Sequence, residues 1–269
     1  INAYAPIILD TCGTGGDASG TFNISTTVAF VVAGAGITVA KHGNRSVSSA
    51  CGSADVLEAL GVNIDVGVAV IEECLHDTGI GFLFAPKLHN AMKHAATPRR
   101  ELGFRTIFNM LGPLTNPAGA TSQLIGVYEP QLTEMFVGVL KNLGTQRAFV
   151  VHGSDGLDEA TVRGETRISE LNDGIISTYN INCTDYVGEV VDYKKILGGT
   201  AEKNSETVKS VLLGDDGAHR KIVLLNSALA IVAGGKASTI GDGIKVAEES
   251  IDSGSARKKL QALIRITNS

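Results

Sequence analysis

The chain has 269 residues, of which 43% are hydrophobic and 19% charged, so it can form one large α/β domain, and extended disorder is excluded. The net charge of −5 excludes the strongly basic surface with which proteins bind nucleic acids. The spacing of the four cysteines suits neither a zinc site nor a disulfide framework, and no apolar run is long enough to cross a membrane, so we expect a soluble, cytoplasmic protein.

The beginning of the chain alternates between apolar runs and glycine-rich or polar loops. The predicted elements are a strand at 7–11, a glycine-rich loop at 12–20, a helix at 26–34, a strand at 37–40, a polar loop at 41–46 and a helix at 53–60. Such repeats form parallel sheets, whose ligands bind beyond the carboxyl ends of the strands. Because a core strand begins so close to Ile1, which is not a methionine, we expect an N-terminal piece to be missing.

The rest of the chain continues this alternation and then becomes mostly helical. The predicted elements are helices at 68–76, 132–143, 222–232 and 244–266, and strands at 80–85, 123–128, 148–152, 166–171 and 175–181. The last two strands suggest a β meander. The polar, helical pattern from 86 to 103 indicates an excursion from the sheet into a helical subdomain.

Loop 13–17 is the first candidate for anion binding. Several N–H groups of a glycine-rich turn can face one anion, and the N-terminus of the following helix adds partial positive charge. The polar side chains at 23–26 can bind phosphate oxygens, or Ser25 a metal ion. The alternatives are a tight turn chosen for its geometry and ordinary helix capping by Asn23 or Ser25.

The polar segment 41–46 follows the second predicted strand and is expected at the same sheet edge. Lys41 is a mobile point charge suited to phosphate, and Asn44 offers both a donor and an acceptor. His42 stands alone, and a lone histidine is more often structural than catalytic.

Asp158 and Glu159 are adjacent carboxylates on the loop after the strand predicted at 148–152. They are hard oxygen ligands suited to Mg²⁺ held between protein and phosphates, and the alternative is a solvated acidic turn. Arg99 carries a guanidinium that can grip a carboxylate at two points. Its alternative is a surface arginine on a polar helix.

Together these segments resemble the anthranilate phosphoribosyltransferase family of the tryptophan pathway. The matching stretches, in the family's order, are DTCGTGGD at 10–17, FNIST at 22–26, KHGNRS at 41–46, RRELG at 99–103, RTIFNMLGPLTNP at 105–117 and HGSDGLDE at 152–159. The part of the fifth stretch from 109 to 117 is very specific, whereas the glycine loop alone would not be.

The resemblance implies an α/β fold, with a central, mostly parallel sheet of the nucleoside phosphorylase and phosphoribosyltransferase type flanked by helices. It assigns residues 1–85 and 119–269 to the α/β domain that binds phosphoribosyl pyrophosphate. It assigns 86–118 to a small helical domain whose N-terminal helices are absent here. In the family those helices help to form a homodimer, so the intact protein is expected to be one.

The resemblance also implies roles for individual residues. The positions expected to hold phosphoribosyl pyrophosphate are Gly13, Gly16, Asp17, Thr21, Asn23, Ile24, Ser25, Thr26, Lys41, His42, Gly43, Asn44, Arg45, Ser46, Val47, Ser48, Ser49 and Ser53. Those expected to bind anthranilate are Gly13, Asn44 and Arg99, with His42, Ala85 and Met92 lining its path. Those expected to bind magnesium are Ser25, Asp158 and Glu159.

The implied reaction is attack of the anthranilate amine on C1 of the ribose as pyrophosphate leaves. An aniline nitrogen is mostly neutral at pH 7 and needs no strong base, so no nucleophilic side chain or covalent intermediate is expected. Stabilisation of the leaving group would come from Lys41, Asp158, Glu159, magnesium and the glycine-loop N–H groups.

Three alternatives stay open at this point. A pyrimidine nucleoside phosphorylase shares the fold and glycine loop but carries a different basic loop in place of 41–45. A non-catalytic nucleic-acid-binding relative would need a strongly basic surface, against which the net charge of −5 argues. The third is a scaffold that has lost activity together with its N-terminal helices.

Overall fold

A seven-stranded sheet organises the fold in this computed structural model, which describes residues 1–46, 50–88 and 107–269. The strands are β1 Ile8–Gly13, β2 Thr38–Gly43, β3 Ile80–Phe84, β4 Ser122–Gly126, β5 Arg147–Gly153, β6 Glu165–Asn172 and β7 Ile175–Asn182. Their order is β3-β2-β1-β4-β5-β6-β7. The first five strands are parallel, and β6 and β7 are antiparallel. The predictions of a mostly parallel α/β sheet and of a final meander are therefore confirmed.

Helices connect the parallel strands and build the C-terminal part of the chain. The α-helices are Ile24–Gly34, Ser53–Ala59, Val68–Thr78, Ala85–Leu88, Ile107–Leu111, Leu132–Asn142, Thr184–Val187, Ala201–Leu213, Ala218–Ala233, Ile240–Asp252 and Ser255–Thr267, and short 3₁₀ turns lie at Gly112–Leu114 and Tyr193–Lys195. Within the described ranges, no helix has the length and apolar content needed to cross a bilayer.

The sheet is covered on both faces, which explains why its central strands are apolar on both sides. On one face, Leu9 and Val39 pack in a large core with the helix Ile24–Gly34 and four C-terminal helices. On the other face, Ile8 joins a smaller cluster with the helix Val68–Thr78, and Ile125 joins another with the helix Leu132–Asn142. Neighbouring residues such as Ile8 and Leu9 face opposite sides because side chains alternate along a strand.

The helix Ile24–Gly34 is apolar around most of its circumference, as expected for a helix buried between the sheet and other helices. Nine of its residues are buried, from Ile24 to Ala33. It ends where Gly36, with φ of 84°, donates its N–H to the carbonyl oxygen of Ala33. Its first turn, directly after the glycine loop, is thereby held rigidly against the core.

Two predictions about elements were wrong, and one helix of the mostly helical C-terminal part was not delimited. Strand β2 runs on through Gly43 because its backbone pairs with β3 as far as Phe84, so part of the predicted polar loop is strand. The helix predicted at 244–266 is two helices, separated where Gly254 adopts φ of 72°. The helix Ala201–Leu213 was missed because its sequence is mostly polar and only one side of it is buried.

The helical excursion predicted at 86–118 is described only at its two ends. The helix Ala85–Leu88 opens it, and the helix Ile107–Leu111 with the turn Gly112–Leu114 closes it. The polar helical pattern between them lies outside the described residues, so the domain boundaries remain a prediction.

Candidate functional site

The glycine loop leaves the carboxyl end of β1 and turns back towards the sheet. Gly15 and Gly16 have φ of 65° and 78°, a conformation that favours glycine. The N–H of Thr14 donates to the carbonyl oxygen of Gly126 at 2.9 Å, and the N–H of Gly15 donates to Asp158 Oδ2 at 2.8 Å. The predicted convergence of this loop with the acidic turn is therefore present in the structure.

The acidic turn after β5 lies directly against the ends of β1 and β4. A Cβ atom at Gly126 would lie 1.5 Å from the Asp158 carbonyl oxygen, and one at Gly13 would lie 2.4 Å from Asp158 Oδ2. Only glycine leaves room for the acidic turn at these two strand ends. Asn226 in the helix Ala218–Ala233 holds the turn from the other side, because its side-chain amide bonds both the N–H and the carbonyl oxygen of Ala160 at 2.8 Å.

Three carboxylates meet at this point. Asp17 Oδ2 accepts the N–H of Asp158 at 3.4 Å, and Glu159 lies beside the backbone N–H of Ser25. Burial raises the pKa of Glu159 to about 8, with Lys41 opposing and Asp17 reinforcing the shift. Burial, then the charges of Asp17 and Glu159, raise the pKa of Asp158 well above its ordinary value. Glu159 is thus buried and Asp158 half-buried, which differs from a solvated acidic turn.

Lys41 differs from its prediction as a mobile charge in a loop. It lies within β2, only 3% exposed, and its Nζ donates to the carbonyl oxygen of Thr11 at 2.6 Å and to Ser25 Oγ at 3.2 Å. Burial lowers the pKa of Lys41, and the charges of Asp10, Cys12 and Glu159 act in the opposite direction. It is a fixed cation at the first turn of the helix Ile24–Gly34.

The start of this helix differs from the capping alternative. The side chain of Asn23 makes no capping hydrogen bond and instead contacts Cys51 and Asn204. Ser25 contacts Lys41 as described. The hydroxyls of Thr14 and Thr26 are buried, and neither has a hydrogen-bond partner within the described part of the chain. Unsatisfied buried hydroxyls of this kind are rare in folded proteins.

Thr21 and Ile24 flank Asn23 but are placed differently. Thr21 pairs with Leu197 in an isolated bridge, and its hydroxyl lies 3.3 Å from Ser19 Oγ. Ile24 is a buried core residue. Its side chain therefore cannot contact a ligand in solvent, and only its backbone can.

The second half of the polar segment 41–46 forms a turn organised by Asp55. Asp55 Oδ2 accepts the N–H groups of Ser46 and Gly52 at 3.0 and 2.8 Å. Arg45 pairs with Asp55 and Glu58. Its guanidinium is therefore held by two carboxylates on the surface of the helix Ser53–Ala59.

Three further candidates lie around this turn. Ser53 Oγ donates to the carbonyl oxygen of Asn44 at 3.2 Å, and a Cβ atom at Gly43 would lie 2.2 Å from that Oγ. His42 is buried in β2 and donates its backbone N–H to Asp10 Oδ1 at 3.0 Å. Five expected site residues lie outside the described residues: Val47, Ser48, Ser49, Met92 and Arg99.

Asp10 and Asn116 were not predicted as site residues. Asn116 Nδ2 donates to Asp10 Oδ2 and to the carbonyl oxygen of Ala40, both at 2.8 Å. Burial raises the pKa of Asp10, against the opposing effects of Lys41 and Asn116. Asn116 belongs to the most specific motif of the sequence, but only the fold shows that it ties this motif to β1 and β2.

Magnesium fits the acidic cluster by the chemistry of its donors. Asp158, Glu159 and the hydroxyl of Ser25 supply hard oxygens. The pKa values of the two carboxyls are raised first by burial and then by neighbouring carboxylates, and a divalent cation would oppose both effects. No three His, Cys, Asp or Glu side chains among the described residues are arranged to hold a metal by themselves. Magnesium usually takes one or two protein carboxylates and leaves other positions to water and substrate phosphates, so this donor set suits a metal shared with a diphosphate.

A cavity of about 620 Å³ lies elsewhere, beside the N-terminus of the helix Ala218–Ala233. Two cations that line it are already paired, Lys221 with Glu189 and Arg220 with Asp252. The carboxyl ends of the parallel strands, where Asp17, Asp158, Glu159 and the glycine loop meet, are the better candidate site because ligands of parallel sheets bind at this edge.

Comparisons with known proteins agree with this geometry. The family model for the glycosyl transferase family a/b domain matches residues 5–257. The chain is 57% identical over 268 residues to the anthranilate phosphoribosyltransferase of Syntrophobacter fumaroxidans, covering 100% of this chain and 80% of that protein. The corresponding protein of Desulfosudis oleivorans is also 57% identical, over 270 residues, with the same coverage.

Solved structures agree in fold. The anthranilate phosphoribosyltransferase of Thermus thermophilus superposes with a TM-score of 0.94 at 38% identity, covering 100% of this chain and 80% of that one. The Saccharomyces cerevisiae enzyme in complex with phosphoribosyl pyrophosphate and Mg has a TM-score of 0.89 at 31% identity, covering 98% and 74%. The same yeast enzyme with 4-fluoroanthranilate has a TM-score of 0.87 at 30% identity, with the same coverage. Agreement in sequence over the whole chain, together with this fold, means that the chain belongs to the anthranilate phosphoribosyltransferase family.

Proposed function

We propose that this chain transfers the phosphoribosyl group of phosphoribosyl pyrophosphate to the amine of anthranilate, giving N-(5-phosphoribosyl)anthranilate and pyrophosphate. The observation that carries this proposal is the convergence of the glycine loop, the Lys41–Ser25 pair and the Asp158–Glu159 turn at the ends of the parallel strands. Ligands of parallel sheets bind at this edge. The identity to relatives with this activity supports the same reaction over a nucleoside phosphorylase.

The donor substrate would lie along the glycine loop and the start of the helix Ile24–Gly34. The N–H groups around Gly13 and Gly16 and the side chain of Asn23 would bind its phosphate oxygens. Lys41 sits behind Ser25 and orients its hydroxyl, because the ammonium donates to Ser25 Oγ and leaves the hydroxyl proton for another acceptor. This role replaces the direct contact first expected for Lys41.

Ser25, Asp158 and Glu159 would hold magnesium together with the diphosphate of the donor. When bound, the metal would neutralise charge that develops on the leaving pyrophosphate. The chain itself contributes fixed N–H dipoles and the buried Lys41 cation, neither of which must reorganise during the reaction.

Anthranilate would approach from the side of Gly13 and Asn44, with Arg99 pairing with its carboxylate. The bond from C1 to the diphosphate oxygen breaks, the bond from C1 to the amine nitrogen forms, and the nitrogen then releases a proton to water. A neutral aniline needs no general base, so the protein's contribution is positioning and electrostatics.

Loss of anthranilate fluorescence on mixing the protein with Mg²⁺, phosphoribosyl pyrophosphate and anthranilate tests this function. Turnover that requires all three components is expected. Phosphorolysis of thymidine or uridine in place of this reaction would favour a nucleoside phosphorylase, and absence of both would mean an inactive scaffold.

Two accompanying proposals concern the intact protein. The homodimer expected from the family is tested by sedimentation equilibrium, where a mass of one chain at micromolar concentration would contradict it. A cytoplasmic location is supported by the four cysteines, which are buried thiols of the kind that reducing compartments preserve.

A further inference from the structure

We propose that Asn204 is a positioning residue, which orients the side-chain amide of Asn23 so that Asn23 presents an N–H group to the phosphoribosyl donor. Asn204 lies in the helix Ala201–Leu213, 181 residues further along the chain than Asn23, and is 1% exposed. This inference rests on the proposed function, because it assumes that Asn23 contacts the donor.

A relay of three hydrogen bonds fixes both amides. The backbone N–H of Gly199 donates to Asn204 Oδ1 at 2.8 Å, Asn204 Nδ2 donates to Asn23 Oδ1 at 2.9 Å, and Asn23 Nδ2 donates to the carbonyl oxygen of Cys51 at 3.2 Å. The relay starts at the Gly199 N–H, which can only donate, and ends at the Cys51 carbonyl oxygen, which can only accept. Rotating either amide by half a turn would place a donor against a donor or an acceptor against an acceptor.

The acceptor atom of the Asn23 amide faces donors. Its Oδ1 accepts from Asn204 Nδ2 at 2.9 Å, and Cys51 Sγ, whose single hydrogen is also within reach of the Gly52 carbonyl oxygen, lies 3.4 Å from it. What remains at the open side of Asn23 is the second hydrogen of Nδ2. Phosphate oxygens are acceptors, so the relay leaves Asn23 in the orientation that suits the donor substrate.

The segment that carries the relay is itself attached to the donor loop. Gly198 donates its N–H to the carbonyl oxygen of Gly20 at 2.9 Å, and Phe22 donates to the carbonyl oxygen of Ile196 at 3.3 Å. A Cβ atom at Gly198 would lie 2.8 Å from the Phe22 backbone, so the two segments are in close contact. Asn204 therefore acts on Asn23 across a rigid junction.

Two variants of Asn204 test the relay in different ways. Asn204→Ala removes the hydrogen bond to Asn23 Oδ1. Asn204→Asp keeps the side-chain volume and an acceptor for the N–H of Gly199. It also places a carboxylate oxygen opposite Asn23 Oδ1, and the repulsion between the two oxygens favours rotation of the Asn23 amide by half a turn. We expect KM for phosphoribosyl pyrophosphate to rise about tenfold in both, and more in Asn204→Asp, as the loss of an oriented hydrogen bond to an anion implies. We expect kcat and the KM for anthranilate to stay within about threefold.

A double-mutant cycle separates positioning from a merely structural role. If Asn204 acts through Asn23, adding Asn204→Ala to Asn23→Ala raises the donor KM no further. Ser205→Ala is the matched control, because Ser205 is a buried polar residue of the same helix whose hydroxyl donates to the carbonyl oxygen of Glu202. It should leave the donor KM unchanged.

The outcomes distinguish this inference from the proposed function. The inference alone would be overturned if the wild type turned over but the increases in donor KM from Asn23→Ala and Asn204→Ala multiplied in the double variant. An unchanged donor KM in Asn204→Asp would also overturn it. Calorimetric titration of phosphoribosyl pyrophosphate with Mg²⁺ provides the same comparison without turnover. If Asn204→Ala does not fold, the isosteric Asn204→Asp decides the matter by itself. A wild-type chain that neither binds nor converts the donor would overturn both proposals.

Discussion

At the residue scale, the ionised forms of Asp158 and Glu159 are electrostatically unfavourable in the ligand-free protein. They are adjacent and close to Asp17, Glu159 is buried and Asp158 half-buried, and the pKa of each carboxyl is raised by burial before any other cause. A bound cation would offset the repulsion among the carboxylates and stabilise their ionised forms. A site of this kind is poorly stabilised when empty and well stabilised when loaded.

Replacing these carboxylates should change the magnesium requirement. Asp158→Asn with Glu159→Gln removes both charges while keeping the side-chain volumes, so turnover should fall. The Mg²⁺ concentration for half-maximal rate should rise at least about tenfold, because even loss of a residue that only supports a metal ligand typically weakens metal binding by that much. Steady-state rates across a Mg²⁺ titration measure both effects. Glu129→Gln, at an exposed glutamate, is the control and should behave as wild type. An unchanged magnesium dependence in the double variant would refute the metal assignment.

Glu159 should also make the metal-free protein less stable as the pH rises. The pKa of Glu159 is about 8 in the folded protein and 4.5 for an ordinary glutamate. Between these values the folded state binds more protons than the unfolded chain, so the free energy of unfolding falls with increasing pH, by at most about 1.4 kcal/mol per pH unit. The raised pKa of Asp158 acts in the same direction.

Urea denaturation in a chelator, between pH 5 and pH 8, measures this dependence. The free-energy difference between wild type and Glu159→Gln isolates the contribution of Glu159 from other titrating groups. The wild type should lose stability relative to the variant as pH rises. A difference that is constant with pH, or of opposite sign, would contradict the buried, protonated state of Glu159.

At the scale of elements, the site depends on how closely the turn after β5 approaches β1 and β4. Parallel strands place their carboxyl ends side by side, and the register pairs Gly13 of β1 with Gly126 of β4. Both glycines lie under Asp158, where any side chain would collide with it. The acidic turn thus packs directly against the backbone of these two strand ends, which fix its position relative to the sheet.

Gly126→Ala should push this turn away from the glycine loop. Its Cβ would lie 1.5 Å from the Asp158 carbonyl oxygen, so backbone must move, and we expect a loss of about 1–3 kcal/mol in stability together with weaker magnesium binding. Gly138→Ala is the matched control, since a Cβ there meets nothing within 4 Å in the helix Leu132–Asn142. It should stabilise the protein by about 0.5–1 kcal/mol. Thermal and urea denaturation distinguish the two, and equal effects would refute the role of the close approach.

At the scale of the whole molecule, the site is assembled from distant parts of the chain. The glycine loop, β2, the turn after β5 and the start of the helix Ala201–Leu213 all contribute contacts. A ligand that touches several of these segments binds only the folded state. Donor binding should therefore stabilise the molecule globally.

Phosphoribosyl pyrophosphate with Mg²⁺ should raise the free energy of unfolding by about 2.7 kcal/mol when the donor is present at about 100 times its dissociation constant. Differential scanning calorimetry would show this as a higher Tm. Sodium sulfate at equal ionic strength is the control and should give a smaller shift. If the Asp158→Asn, Glu159→Gln variant showed the full wild-type shift, the donor would be binding elsewhere.

Much of the fold was predictable because its elements are encoded locally. Apolar runs indicated all seven strands, and the order of strands and helices indicated a parallel sheet. The helix Ala201–Leu213 was missed, since polar residues fill most of it and its apolar positions become a buried face only against other helices. Gly254 divides a helical pattern that looked continuous, because a left-handed residue interrupts helical hydrogen bonding without changing the apolar spacing.

The sequence by itself determined the element types, the glycine loop, the acidic pair and the family resemblance, since these depend on neighbouring residues and short motifs. Only the tertiary structure decided that Lys41 is a buried cation behind Ser25, that Asn116 bonds Asp10, and that Asn204 faces Asn23. The physical reason is that a polar side chain's role depends on its hydrogen-bond partners and its exposure. Both are set by the pairing of strands and the packing of helices from segments far apart along the chain.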